Sequence, residues 1–484
     1  MKRKLLSLTA ALACCVLLAA AIIYMKHSDE KDSEPDLPQQ EQEQSSSQSF
    51  HSSDMIASRE DIKTVTVTSG SESFTVVAGQ NGADPHIREL EGIRQNFQLE
   101  NALLALCKSI SPEKLVEENA GDLKKYGLDK PSGSAEINYS DGTKVRVLAG
   151  DASPSNERQV YAAIEGQKKV WLVESSVSIY FTGKAKDYVS QVMSPQSERT
   201  SSDSAKMTVT SAASQYDITL ERKGEKWSMT APLKAQLDEE KSSAVTGGLY
   251  GLNAEYCEKV RPDSDDKARC GLDKPAAEVT LKEGSTELKL KIGSAAVRKD
   301  ESEKERYYCI IEGVVGTDCI YAVAKEYLPW LSITVQGLVS DVILPNYLVN
   351  LRGVSITIGG KNSEFVITNE GGDPNRINED VSKMRTVRVT SEGRELELDK
   401  FRELYEYLMK CPSDRIYTEK ADNGEYAVIV YKKNDGSQDR LGFVPVSGGY
   451  AVKVNGQVSY LVGEDWLSGL TVKINALGQQ SSTK

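Results

Sequence analysis

Six cysteines beyond the first 26 residues are the side chains best suited to redox or metal chemistry: Cys107, Cys257, Cys270, Cys309, Cys319 and Cys411. An even number in an exported chain permits disulfides. Cys309 and Cys319 flank one expected hairpin and fall nearly opposite each other, which makes them a possible pair. Cys257 and Cys270 bracket the loop between a helix and Gly271 and form a second possible pair. Cys107 sits in the apolar run Leu103-Leu104-Ala105-Leu106 and reads as a buried thiol, while Cys411 closes another helix. A thiolate metal centre would want a C-x-x-C clamp, which the sequence lacks, so no metal ligand is assigned.

Acid–base and nucleophilic chemistry has little to draw on. The only histidines are His27, His51 and His86. A Ser-His-Asp or Cys-His site would have to borrow His86, and a histidine-rich zinc site is excluded. No G-x-x-x-x-G-K-[ST], G-x-S-x-G or H-E-x-x-H is present. Ser111-Pro-Glu-Lys114 spells S-x-x-K without any partner motif and is expected to cap a helix. The run from Asp373 to Asp380 resembles a calcium loop, but Asn378 stands where the sharp turn needs glycine, so a solvated polar loop is expected. Asp238-Glu239-Glu240 suits a helix start, where negative charge complements the dipole. No catalytic, cofactor-binding or metal residue is assigned, and enzymatic activity is the least favoured reading.

The elements around these residues come from a chain of 484 residues, 39% hydrophobic and 27% charged, a composition that suits globular domains. Net charge is −12; the first 26 residues hold Lys2, Arg3, Lys4 and Lys26 and no acid, so the remainder carries −16. Such a surface repels phosphate backbones, and nucleic acid is not an expected partner. Leu5 to Met25 runs 21 residues without a charge, enough for a helix of roughly 30 Å, the thickness of a bilayer core. The basic start places residues 1–4 in the cytoplasm and the bulk of the chain outside. Two readings compete: cleavage after Ala21, past which Ile22, Ile23, Tyr24 and Met25 continue the apolar run, and lipoprotein processing, for which Cys14 has Ala11 where leucine is wanted and Cys15 has Leu12 in place but Cys14 just before it. A single-pass anchor over 5–25 is expected, then a disordered tether over 26–58 rich in Glu, Gln, Ser and Asp.

Beyond the tether the sequence repeats itself. Tyr126-Gly127-Leu128-Asp129-Lys130-Pro131 returns as Cys270-Gly271-Leu272-Asp273-Lys274-Pro275, 144 residues on. Val160-Tyr161 through Gly166 matches Tyr307-Tyr308 through Gly313 at 147, and Val170-Trp171 matches Ile320-Tyr321 at 150. Val189-Ser190-Gln191-Val192 then matches Val339-Ser340-Asp341-Val342, also at 150. A third, divergent copy keeps the hairpin of Tyr450–Gly456 and Ser459–Val462 but has Glu419–Gly424 in place of the Gly-Leu-Asp-Lys-Pro loop. Repeat domains are expected over 59–196, 204–346 and 352–475, with a disordered tail over 476–484.

Alternating runs such as Lys206–Thr210 and Tyr216–Arg222 predict half-buried strands. Helical stretches follow at Leu237 to Asn253 and Asp399 to Lys410, the latter with Phe401, Leu404, Tyr405 and Leu408 on one face. Strand runs broken by a helix argue for an α+β fold of tandem, mainly antiparallel sheet domains with one or two helices per repeat. Gly127 and Gly271 suit a left-handed position after a helix. Leu128 and Leu272 pack back on its last turn, and Pro131 and Pro275 prevent continuation. Asn455-Gly456 signals a type I′ hairpin. Tyr161, Trp171, Tyr308, Tyr321, Tyr450 and Tyr460 fall on paired hairpin arms and read as packing residues.

Anchor, Tyr-Gly-Leu-Asp-Lys-Pro, strand pair, Tyr-containing hairpin and Val-Ser-x-Val exit together resemble the domain of unknown function 4340 (DUF4340) family. Trp227 to Pro232, followed by an acidic helix start, is similar to that family's Trp-x-x-x-x-Pro segment. The resemblance covers roughly residues 60–345, with 352–475 as a divergent further copy. It implies a bacterial, membrane-anchored, extracytoplasmic protein acting beside ABC-type transporters of the gliding-motility or auxiliary type, and no catalytic residue. A non-catalytic accessory or scaffold protein partnering an ABC-type permease and ATPase is therefore expected. A stand-alone binding module for cell-wall polymer or a small solute is the alternative.

Overall fold

The computed structural model describes residues 56–80, 82–196, 202–298, 300–371 and 384–479. The segment expected to anchor the chain, 5–25, lies outside them, as does the loop 372–383 that contains Asp373–Asp380. Among the described residues no helix is long and apolar enough to cross a membrane.

Each copy builds one antiparallel sheet from a contiguous stretch of chain. In the first, Ile62–Ser69 is central. It pairs with Glu72–Val77 on one side and with Gly133–Tyr139 on the other. Lys144–Ser153, Asn156–Ile164 and Val170–Glu174 continue as a meander, and Lys114–Glu117 returns to close that edge. The period-2 pattern explains the arrangement: Val65 and Val67 are wholly buried while Thr64, Thr66 and Thr68, which alternate with them, are partly exposed.

The second sheet repeats this plan. Ser204–Ser211 pairs with Ile218–Lys223 and with Ala277–Glu283. Thr286–Ala295, Arg306–Glu312 and Cys319–Ala324 follow, and Tyr256–Val260 closes the edge. In the third, Leu351–Ile358 pairs with Lys361–Glu370 and Ala427–Lys433. Gln438–Val446, Gly449–Val454 and Gln457–Val462 then complete the meander. Here the closing edge shrinks to one bridge, Ile416 with Tyr460.

A helix interrupts each copy between the opening strands and the meander. Helix α1, Phe97–Lys108, buries Glu100, Leu103, Leu104 and Cys107, a single face at spacings of three and four. After α2, Ser176–Phe181, comes α3, Glu239–Gly247, whose start is capped by Asp238 accepting from the Glu240 and Lys241 amides. Sequence reading extends α3 from Leu237 to Asn253. In the structure Leu237 bridges Val339 instead, and the Gly247-Gly248 pair ends the helix early. Then come α4, Ser264–Arg269, and α5, Leu398–Met409, in which Phe401, Leu404, Tyr405 and Leu408 are all buried. The last helix, α6, Glu464–Gln479, packs against α5, with Tyr407 stacked on Trp466 at 5.6 Å.

Three expectations are corrected. Ile56 and Ala57 are buried, and Ala57–Ser58 pairs with Ser109–Ile110, so the end of the expected tether is an ordered strand. Residues 476–479 continue α6 rather than beginning a tail, because Ile474 and Leu477 pack on the core. Ser111–Lys114 leads into the edge strand Lys114–Glu117 and caps no helix.

Candidate functional site

The Gly-Leu-Asp-Lys-Pro loops are built alike in the first two copies. Gly127, at φ 68°, follows the turn Leu123–Tyr126 and donates its amide to the Lys124 carbonyl; the Leu128 amide reaches the Leu123 carbonyl at 3.1 Å. Gly271, at φ 69°, follows α4, with the Leu272 amide 2.8 Å from the Lys267 carbonyl. This left-handed turn favours glycine. Leu128 and Leu272 are buried in small apolar clusters on each sheet, one with Tyr126 and Leu148, the other with Cys270 and Ile320. Close approach requires a second glycine in each copy. A Cβ at Gly150 would stand 2.2 Å from the Tyr126 carbonyl oxygen, and one at Gly293 2.1 Å from that of Cys270. In the third copy, which lacks the loop, buried Val444 stands at the matching meander position and packs with Ala421 and Ala451. Asn455 and Gly456 both have positive φ, 48° and 88°, at the tip of the last hairpin.

The Val-Ser-x-Val segments do more than end a copy. Val189 bridges Gln95, flanked by the Asn96 amide to the Tyr188 carbonyl at 2.8 Å and the Ser190 amide to the Arg94 carbonyl at 2.9 Å. Val339 bridges Leu237 in the same way, with the Asp238 amide on the Leu338 carbonyl and the Ser340 amide on the Gln236 carbonyl. Each exit segment therefore pairs with the residue just ahead of its own copy's helix cap. It then turns to the next copy. Val192 bridges Asn253, with Met193 donating to Leu252 and Ala254 donating to Gln191. At the following joint Ser413 Oγ donates to the Asp341 carbonyl at 3.1 Å, and Gln336 Nε2 to that of Asp414 at 3.3 Å. Among the described residues no exit segment precedes the first copy, and Ile56–Ser58 fills that role on Ser109–Ile110.

Charged side chains reinforce the first joint. Arg261, held at φ 47°, gives its guanidinium to the carbonyls of Glu89 and Glu91, and the Arg94 amide donates to the Gly316 carbonyl at 2.8 Å. Lys186 pairs with Glu258 and Lys184 with Glu72, on the walls of a cavity of about 460 Å³. Asp266 accepts from Lys259 and Arg269 beside it, and the Lys259 ammonium holds its carboxyl below the usual range. The cations lining this cavity thus meet carboxylates or carbonyls of the protein itself.

Two buried titratable features adjoin the joint. Cys257, on the edge strand, and Cys319, on its neighbour, point to one face of the second sheet and lie within hydrogen-bonding reach. Their contact raises the Cys257 thiol and holds Cys319 below the ordinary thiol range; buried Tyr321 lies beside them. All six described cysteines are free and buried. The pairs inferred from sequence do not meet. Cys309 and Cys257 both stand opposite Tyr321, one on each neighbouring strand, and of the two it is Cys257 that contacts Cys319; Cys270 belongs to the small outer cluster while Cys257 faces the main core. On α1, Glu100 is wholly buried with neither carboxylate oxygen hydrogen-bonded, and burial raises it to about 7. Sequence reasoning missed Glu100 and Arg261. Glu100 was detectable, because it shares the apolar face of Leu103, Leu104 and Cys107. Among the described residues no group of three or more His, Cys, Asp or Glu side chains converges to hold a metal.

Three antiparallel sheets, each interrupted by a helix and joined by a shared exit strand, define a tandem-repeat α+β protein. Residues 94–258 and 227–412 each match the family described as Domain of unknown function (DUF4340), and the chain belongs to that family. Neither match coincides with a sheet: the first runs from just ahead of α1 into the edge strand Tyr256–Val260 of the second copy, and the second from that copy's opening strands through its meander to just beyond α5. No curated protein and no solved structure matches the chain.

Proposed function

We propose that this chain is a non-catalytic accessory or scaffold protein, anchored by residues 5–25 and acting outside the cytoplasmic membrane beside an ABC-type transport complex. The observation that carries the reading is the serial joint. Three sheets are tied end to end, by backbone pairing at the first joint and by side-chain hydrogen bonds to main-chain carbonyls at the second, in the manner of proteins that offer partners an extended surface rather than one cleft. The charged contacts that cross the first joint, Lys186 with Glu258 and Arg261 with the Glu89 and Glu91 carbonyls, support it further, since those groups hold the copies together instead of awaiting a substrate. The uncharged run Leu5–Met25 behind a basic start supports the anchored, extracytoplasmic location.

The test is gentle detergent extraction of the native protein, affinity capture and mass spectrometry of what accompanies it. Permease and ATPase subunits recovered in fixed ratio are expected. Recovery of the intact chain alone at full yield overturns the proposal in favour of a wall- or solute-binding module.

A further inference from the structure

We propose that the cleft ahead of helix α5 in the third copy is a docking site for an extended apolar-Val-Ser segment of a partner protein. That segment adds there as the exit segments add in the first two copies. The inference deepens the scaffold reading by assigning the surface that meets the partner.

The three copies align residue for residue at this point. Gln95-Asn96 precedes α1, Leu237-Asp238 precedes α3 and Leu396-Glu397 precedes α5, with Asn96, Asp238 and Glu397 each standing at the helix cap. In the first two copies the residue before the cap bridges a valine, and the flanking backbone groups are exchanged with that strand. The cap amide donates to Tyr188 or Leu338, and the carbonyl two residues earlier, of Arg94 or Gln236, accepts from Ser190 or Ser340. The third copy has no Val-Ser-x-Val segment. After its last strand, Gln457–Val462, the chain enters α6.

At the place of the exit segment the third copy holds a cavity of about 480 Å³. One wall is Arg394–Glu397 and the other is Ile474, Asn475 and Leu477 of α6. That volume falls within the range of ordinary ligand and peptide clefts. The chain's own geometry names the occupant: an extended strand with an apolar residue facing Leu396, its carbonyl toward the Glu397 amide and a following amide toward the Glu395 carbonyl. Strand addition of this kind draws affinity from backbone pairing and specificity from the alternate side chains. Glu392, Glu395 and Glu397 line the same cleft, so a basic residue flanking the apolar-Val-Ser core is favoured.

A fluorescent synthetic peptide copying residues 336–345, with a lysine added at its N-terminus, is titrated into the full chain and followed by anisotropy. Saturable binding with a Kd on the order of 0.1 mM is expected. Methylating the amide nitrogen of the peptide's serine, which removes the donor meant for Glu395, should weaken binding at least tenfold. Asn475→Trp, placed on the exposed side of α6 to fill the cleft, should do the same while the melting temperature stays unchanged. No saturation up to about 1 mM, or equal affinity for the methylated peptide, overturns the proposal. Equal affinity for Asn475→Trp with an unchanged melt moves binding away from this cleft and overturns it as well. The scaffold reading stands or falls separately: co-purification of transporter subunits by both wild type and Asn475→Trp keeps the scaffold and removes the cleft.

Discussion

Arg261 of the second copy reaches across the first joint and donates to the main-chain carbonyl of Glu89 at 2.9 Å, from a backbone held at φ 47°. A non-glycine residue in that region carries a cost of roughly 1 kcal/mol. The guanidinium offsets it by satisfying carbonyls at the end of the turn Arg88–Leu90, where a cation also complements the dipole.

Arg261→Gly and Arg261→Ala separate these effects. Both lose the charge-assisted hydrogen bonds, so amide exchange of residues 88–94 should quicken several-fold in each. Only the alanine keeps the backbone cost, so it should be less stable than the glycine variant by about 1 kcal/mol, read from denaturant melts.

Glu100 makes stability fall as pH rises. Its folded pKa, about 7, lies above its unfolded value of 4.5, so the native state binds more protons between them. No penalty applies below about pH 4.5, and the full penalty, up to about 3 kcal/mol, is reached above pH 7. Glu100→Met should raise the melting temperature by several degrees at pH 8 and leave it nearly unchanged at pH 4.5. An equal gain at both values refutes the assignment.

Oxidation should join Cys257 to Cys319. Two thiols give two protons and two electrons to glutathione disulfide, which leaves as two molecules of glutathione. Peptide mapping after refolding in a glutathione buffer should recover that link and neither Cys309–Cys319 nor Cys257–Cys270. In the chain-entropy account a loop of this length contributes up to about 4 kcal/mol. Cys257→Ser should remove the gain.

Gly293→Ala should cost about 2–4 kcal/mol, because the new Cβ meets the Cys270 carbonyl oxygen at 2.1 Å. Limited proteolysis should then open the second copy around residues 262–276 first. In the third copy Val444→Ala should act in the opposite sense, as loss of buried volume, and cost about 1–2 kcal/mol.

Sheets, hairpins and the α5 face were legible because they rest on local periodicity: Phe401, Leu404, Tyr405 and Leu408 announce their burial by spacing alone. The left-handed turns were legible because few residues besides glycine adopt them. The cysteine pairing was not. Cys309 and Cys319 sit on adjacent strands, but the register puts Tyr321 opposite both Cys309 and Cys257, and the register shift after Cys257 accompanies the contact of that thiol with Cys319. The edge strand that brings Cys257 to Cys319 comes from beyond α3, and long-range register leaves no local trace. The joints were half legible. Val-Ser-x-Val stood out as a repeated string, yet its two pairing partners, Gln95 and Asn253, have nothing distinctive in sequence.

The exit strand that finishes one sheet also begins the seam with the next, so the chain contains no seam that belongs to one copy alone. A whole copy excised or duplicated between two Val-Ser segments keeps an exit segment at every seam, and the array is in principle free to grow or shrink by single units. Helix α6 breaks that freedom. It follows the third copy's last strand in place of an exit segment, and it walls the cleft ahead of α5 while leaving that edge open.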